Sequence, residues 1–105
     1  MITIEIFFFG KYITRMRVTG HAGTAPHGQD IVCAGVSALT QSAVLGLESH
    51  LNRELSLTVA NGKLDCALVE EPDSLSEAIL STMLLGLREI AKLNPKSVRI
   101  EECRR

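Results

Sequence analysis

What most constrains this chain is that its hydrophobic period switches between two and 3.6 residues in a fixed order. Residues 2–9 alternate, with Ile2, Ile4, Ile6 and Phe8 on one face and Thr3, Glu5, Phe7 and Phe9 on the other. Residues 12–19 alternate again, with Tyr12, Thr14, Met16 and Val18 opposed to Ile13, Arg15, Arg17 and Thr19. Gly10 lies between the two segments, so they form a hairpin. A two-residue turn would pair Phe9 with Tyr12 and set Ile6 against Arg15. A three-residue loop pairs Phe8 with Tyr12, Ile4 with Met16 and Glu5 with Arg15. The longer loop is expected, because it keeps apolar residues on one face and opposes unlike charges.

A second hairpin is centred on Asn61-Gly62, the preferred dipeptide of a type I′ turn, in which both central positions take φ > 0. A two-residue loop there pairs Val59 with Leu64, Leu57 with Cys66 and Leu55 with Leu68, all on one face. Helical spacing accounts for the two intervening segments. One helix is expected from near Asp30 to about Leu51, burying Val32, Val36, Leu39, Ala43, Leu47 and Leu51. The other opens on the capping box Ser74-Leu75-Ser76-Glu77 after Pro72 and stops before Asn94-Pro95. Its apolar surface is wide, with Leu75, Ile79, Met83 and Ile90 beside Leu80, Leu84 and Leu87. That width implies burial by a sheet and by either the other helix or another subunit. A weakly alternating strand, Ser97 to Glu102, ends the pattern. The order is ββαββαβ: one α+β domain over residues 1–105, with a mostly antiparallel sheet packed against two helices.

Composition narrows the functional classes. Eleven Lys and Arg against 12 Asp and Glu give 11 − 12 = −1, no net field to hold nucleic acid or an anionic membrane. Uninterrupted apolar runs such as Ile6-Phe7-Phe8-Phe9 are short, and no bilayer span of roughly 18 apolar residues is expected. Met1-Ile2-Thr3-Ile4-Glu5 lacks the basic start of a signal peptide. Three cysteines, at 33, 66 and 103, are an odd number without zinc-type pairs, which fits a reducing cytoplasm better than a disulfide framework.

The segment Gly20-His21-Ala22-Gly23-Thr24-Ala25-Pro26-His27-Gly28-Gln29-Asp30 is long for a loop in a small domain and carries two of the three histidines. If Asp30 is the N-cap, Cys33 falls in the first helical turn, where unpaired N–H groups and the helix dipole favour a thiolate. Asp30 opposes this unless its carboxylate is occupied by capping or by an imidazole. Either His21 or His27 can supply a base: His27 is nearer in sequence, and His21 is better fixed at a strand end. A Cys–His pair with an orienting carboxylate is the minimal apparatus for thiol acyl transfer. The alternative is a Cys33 that fills a gap beneath the sheet, which its small polar neighbours Ser37 and Thr40 weaken. Zinc held by His21, His27 and Cys33 lacks the recognised ligand spacing. Cys66 is expected in the core, and Cys103 is expected at the surface. Phe7, Phe9, Arg15 and Arg17 share the hairpin's outer face with Lys11 at the turn, the raw material of a base-stacking surface without the RNP1 pattern, or equally of a dimer interface or a peptide shelf.

Gly20-His21-Ala22-Gly23 followed by Gly28-Gln29-Asp30-Ile31-Val32-Cys33-Ala34-Gly35-Val36-Ser37-Ala38-Leu39 resembles the ribosomal-processing cysteine protease family. The resemblance spans the chain in length and element order, with residues 24–27 its loosest part. It implies a cytoplasmic bacterial cysteine endopeptidase, usually a homodimer. Such an enzyme removes a short N-terminal extension from a large-subunit ribosomal protein precursor before assembly. No cofactor is implied, nor any membrane or direct nucleic-acid partner. Carried over by motif, Cys33 is the nucleophile and His21 the general base. Asp30 orients the base or shapes the loop, Gly20 and Gly23 act as hinges, and Ser37 lines the cleft. The non-enzymatic alternative is a ribosome-assembly or RNA-binding module that keeps the motif for structure.

Overall fold

A computed structural model of the chain describes residues 1–20 and 27–105, and the side chains of residues 27–30 lie outside that description. The elements are β1 (Ile2–Phe9), β2 (Tyr12–Thr19), α1 (His27–Leu45) with a π-helical turn at Gly46–His50, β3 (Leu55–Ala60), β4 (Lys63–Leu68), α2 (Ser74–Leu93) and β5 (Val98–Arg104). The ββαββαβ order of the sequence reading is therefore found. The strands form one sheet in the order β3-β4-β2-β1-β5, antiparallel except for the β1–β5 pair. Ile2, Ile4, Ile6 and Phe8 of β1 are buried while Thr3, Glu5 and Phe7 are half-buried and Phe9 is exposed, so the helix layer covers one face.

The first hairpin departs from the expected register. Phe9 pairs with Tyr12 across a two-residue turn, Phe8 pairs with Ile13, and Phe7 then pairs with Arg15. Thr14 is thus the extra residue of a β-bulge. Gly10 alone of the two turn residues has a positive φ, +62°, the pattern of a type II′ turn. The bulge reconciles two demands that neither unbulged register met. It sets Ile6 against Met16, and it lets Ile13 and Met16, which lie on opposite parities of β2, both enter the core. The bulge also turns the Ile13 N–H toward α2, where it donates to Glu77 Oε1 at 2.7 Å. Glu5 consequently meets Arg17 rather than Arg15.

The second hairpin has the expected pairs, Val59 with Leu64, Leu57 with Cys66 and Leu55 with Leu68. Only Gly62 has a positive φ, +74°, so the turn follows the type II pattern rather than type I′.

The cap of helix α2 is Asp73, one residue before the expected Ser74. Asp73 accepts the Leu75 and Ser76 N–H groups, and the Ser76 hydroxyl accepts the Asp73 N–H, a capping box shifted by one position. The two helices run antiparallel and close together. A Cβ at Gly35 would meet Ile90, one at Gly46 would meet Ile79, and one at Gly86 would meet Leu39. The wide apolar face of α2 is thus covered largely by α1, although Leu75 is exposed. Ile31–His50 has a mean hydropathy of 1.5, enough by length and composition to cross a membrane, contrary to the run-length reading. In the fold its Val32, Val36, Ala43, Val44 and Leu47 pack into the core.

Candidate active site

The helix-layer face of the β3–β4 hairpin is only partly covered, with Cys66 buried, Leu64 half-buried and Leu57 and Val59 exposed, and β3 is an edge strand. The result is a cavity of about 590 Å³ between α1 and the hairpin. Cys33, Ser37 and Gln41 line it from α1, and at i, i+4 and i+8 they share one helix face. Thr40 also lines it, but its hydroxyl is spent on the Val36 carbonyl at 2.9 Å. Leu57, Val59 and Leu64 form the opposite wall. One wall can therefore exchange hydrogen bonds with a backbone while the other accepts apolar side chains.

Gly20 ends β2 at the rim of the same cavity. Its N–H donates to the Gly62 carbonyl at 3.0 Å, tying the end of β2 to the β3–β4 turn. Its φ is +89°, beyond the region that L side chains tolerate, and a Cβ there would collide with the Met1 carbonyl oxygen. Only glycine fits immediately before His21. His21 and Gly23 lie outside the described residues, as do the side chains of His27 and Asp30.

The start of α1 corrects one expectation. The helix begins at His27, directly after Pro26, so Asp30 is inside the first turn and is not the N-cap. Cys33 is then the seventh helical residue, counting 33 − 27 + 1. Nothing between Pro26 and Asp30 except Gly28 disfavours a helix, which explains the earlier start. Cys33 therefore lies beyond the first turn of the described helix, where the dipole effect has faded. Cys33 has no first-turn position from which to gain.

The other thiols differ sharply from Cys33, which is half-buried at the cavity. Cys66 is buried in the core opposite Met16 and Leu57, and burial pushes its thiol up to about 11. Cys103 is half-buried on β5 beside Phe7 rather than exposed. On the outer sheet face, Arg15 and Arg17 lie over the Phe7 ring at 4.9 and 5.5 Å. Their guanidinium groups are already engaged: Arg15 forks onto Asp65 at 2.8 and 2.6 Å, and Arg17 onto Glu5 at 2.8 and 3.0 Å. Those contacts hold both carboxyls below the usual range. The sequence reading found Cys33, Ser37 and Gly20, which the fold brings to one cavity. It missed Gln41, the Gly62 carbonyl and the apolar wall, because no local signal says which helix face overhangs which hairpin.

The profile of the cysteine protease Prp family matches residues 1–99. A ribosomal processing cysteine protease Prp from Staphylococcus aureus is 31% identical over 105 residues, spanning 95% of this chain and 97% of that protein. Crystal structures of the S. aureus protease with a covalently linked product peptide and with a substrate peptide share 27% and 26% identity with this chain. Each has a TM-score of 0.88 and covers 97% of this chain and 99% of the other. SMU.848 from Streptococcus mutans also gives a TM-score of 0.88, at 26% identity over 100% of this chain and 96% of its own. A half-buried thiol in an open cleft, on a fold shared across the whole chain, thus joins a family-wide sequence match, and the chain belongs to the Prp family of cysteine proteases.

Proposed function

We propose that this chain is the endopeptidase that removes a short N-terminal extension from a large-subunit ribosomal protein precursor before ribosome assembly, acting in the cytoplasm as a homodimer. The observation that carries the site assignment is that Cys33 and Gly20, the residue before His21, line one open cavity. The S. aureus relative, named for ribosomal processing, binds peptides, one of them covalently. The guanidinium groups of Arg15 and Arg17 are paired with carboxylates, so the outer face lends no support to an RNA-binding alternative.

In this mechanism His21 takes the thiol proton of Cys33, and the thiolate attacks the scissile carbonyl carbon, forming an S–C bond and an oxyanion as the C=O π bond breaks. Backbone N–H groups at the start of α1 are the candidate oxyanion donors. Collapse of the oxyanion breaks the C–N bond as His21 protonates the departing amine. His21 then takes a proton from water, whose oxygen attacks the thioester and returns Cys33 as a thiol or thiolate. Asp30, in the first turn of α1, orients the imidazole. Gly20 and Gly23 let the loop between β2 and α1 admit the peptide, and Ser37 lines the cleft beside the nucleophile. No metal or cofactor enters these steps.

Mass spectrometry of the precursor incubated with wild-type chain, Cys33→Ala and His21→Ala tests this function. A single cut near the precursor's N-terminus by the wild type, absent with both variants, is expected. Full cutting by either variant overturns the assignment of that residue. An intact precursor with folded wild type overturns the substrate.

A further inference from the structure

The two helices divide the covered face of the sheet unevenly. α1 packs chiefly against α2, and on its other side stand the cavity of about 590 Å³ and the exposed side chains of Leu57 and Val59. Where the helices meet, a glycine on one faces an apolar side chain on the other at three levels: Gly35 and Ile90, Leu39 and Gly86, Gly46 and Ile79. A Cβ at Gly35 would lie 3.2 Å from Ile90 Cδ1, one at Gly86 2.8 Å from Leu39 Cδ1, and one at Gly46 3.1 Å from Ile79 Cδ1, each inside ordinary van der Waals contact. All three glycines sit in helical segments without a positive φ, where alanine would hold the helix better. Their backbone has no need of glycine, and what they provide is a close approach of α1 to α2.

That approach bears on the thiol because of where it acts around α1. At about 100° per residue, Gly35, Leu39 and Gly46 centre on one side of the helix, and Cys33, Ser37 and Gln41 centre on the opposite side. Any movement of α1 away from α2 is thus a movement into the cleft. Gly35 lies two residues from Cys33, so its contact acts on the turn that carries the thiol. We infer that the glycine contacts between α1 and α2 set the width of the cleft at Cys33, which makes Gly35, Gly46, Ile79 and Ile90 positioning residues for the nucleophile. The consequence for catalysis rests on the peptidase reading above. Ile79 meets the Gly46 position through Cγ2, at 3.4 Å, as well as through Cδ1, and a side chain branched at Cβ is stiff about χ1 in a helix. A Cβ added at Gly46 therefore moves the helix rather than turning the side chain. A narrower cleft then excludes bulky groups from the thiol before it excludes small ones.

The experiment compares the wild type with two double variants of opposite sign. Gly35→Ala with Gly46→Ala narrows the cleft, and Ile79→Val with Ile90→Val removes both Cδ1 contacts and lets α1 settle further onto α2. Each chain is alkylated by iodoacetamide and, separately, by pyrenyl maleimide, with adducts at Cys33 quantified by peptide mass mapping and folding checked by thermal unfolding. In the alanine pair the maleimide rate at Cys33 is expected to fall about fivefold while the iodoacetamide rate changes less than about twofold. In the valine pair the maleimide rate is expected to rise about twofold, and this pair decides the matter if the alanine pair does not fold. Peptides with Trp beside the scissile bond should follow the maleimide in kcat/KM, and peptides with Ala there should follow iodoacetamide. Size-dependent labelling in a chain that cleaves no peptide would uphold the contacts and overturn the peptidase reading. Cleavage through Cys33 with wild-type size dependence in the folded variants would overturn the inference alone. A uniform loss of cleavage across all peptides, with labelling unchanged, would assign the glycines to stability and overturn it as well.

Discussion

Gly20→Ala and Gly10→Ala form a matched pair whose difference follows from the structure. Both glycines have positive φ, but a Cβ at Gly10 meets nothing within 4 Å, so only backbone strain is added there. At φ +62° that strain is about 1 kcal/mol, which lowers Tm by roughly 4–8 °C in a domain of this size. At Gly20, φ is +89° and the new Cβ is driven into the Met1 carbonyl oxygen. Met1 cannot simply retreat, since the Ile2 N–H is held by the Ser97 carbonyl at 2.8 Å. Gly20 must move instead, breaking its bond to Gly62. Strain of about 1–3 kcal/mol plus about 1 kcal/mol for the lost hydrogen bond puts the cost near 3 kcal/mol, or roughly 12–24 °C. Because His21 follows directly, cleavage should fall even at temperatures where the variant is fully folded. Thermal unfolding by circular dichroism with a peptide-cleavage assay on the same samples measures both. A Gly20→Ala chain as stable and as active as Gly10→Ala would refute the reasoning.

Asp73→Ala removes both backbone acceptor contacts at the start of α2 and the 2.8 Å ion pair with Arg53, so a loss of about 1–2 kcal/mol is expected in urea unfolding. Ser74→Ala, at the cap position the sequence suggested, should cost less than about 0.5 kcal/mol. The carboxyls of Glu5 and Asp65 are depressed in the fold by Arg17 and Arg15, so their contribution is present above the unfolded-state values and is lost as pH falls through the lower folded-state ones. The urea midpoint should therefore drop below about pH 4, and Asp65→Asn should flatten that limb while costing stability at neutral pH. Cys66, buried and with its thiol at about 11, should resist iodoacetamide near neutral pH until the chain unfolds, whereas Cys33 should alkylate in the native state.

Element order was legible because the change of period is a local signal, and so were the pairs around Asn61-Gly62, which a two-residue turn dictates. The first hairpin was misread because its bulge at Thr14 answers to the core and to Glu77 of α2, neither of which alternation along β2 reveals. The cap of α2 slipped by one because Asp73 and Ser74 are both good caps, and Arg53, distant in sequence, pairs with Asp73. At the site, Cys33 was identifiable from its motif and Ser37 from helical spacing. The apolar wall of Leu57 and Val59 resembles an ordinary core strand in sequence, and only the fold shows that both side chains stay exposed along a cavity shared with α1.

The central claim is that the cavity thiol of Cys33 carries the acyl group. Acid quenching of the wild-type chain during turnover of a cleaved peptide, followed by intact-mass and fragment analysis, tests it most directly. The account predicts a thioester of the peptide's N-terminal fragment on Cys33, absent in Cys33→Ala. An acyl adduct on another residue, or cleavage by Cys33→Ala at the wild-type rate, would contradict it.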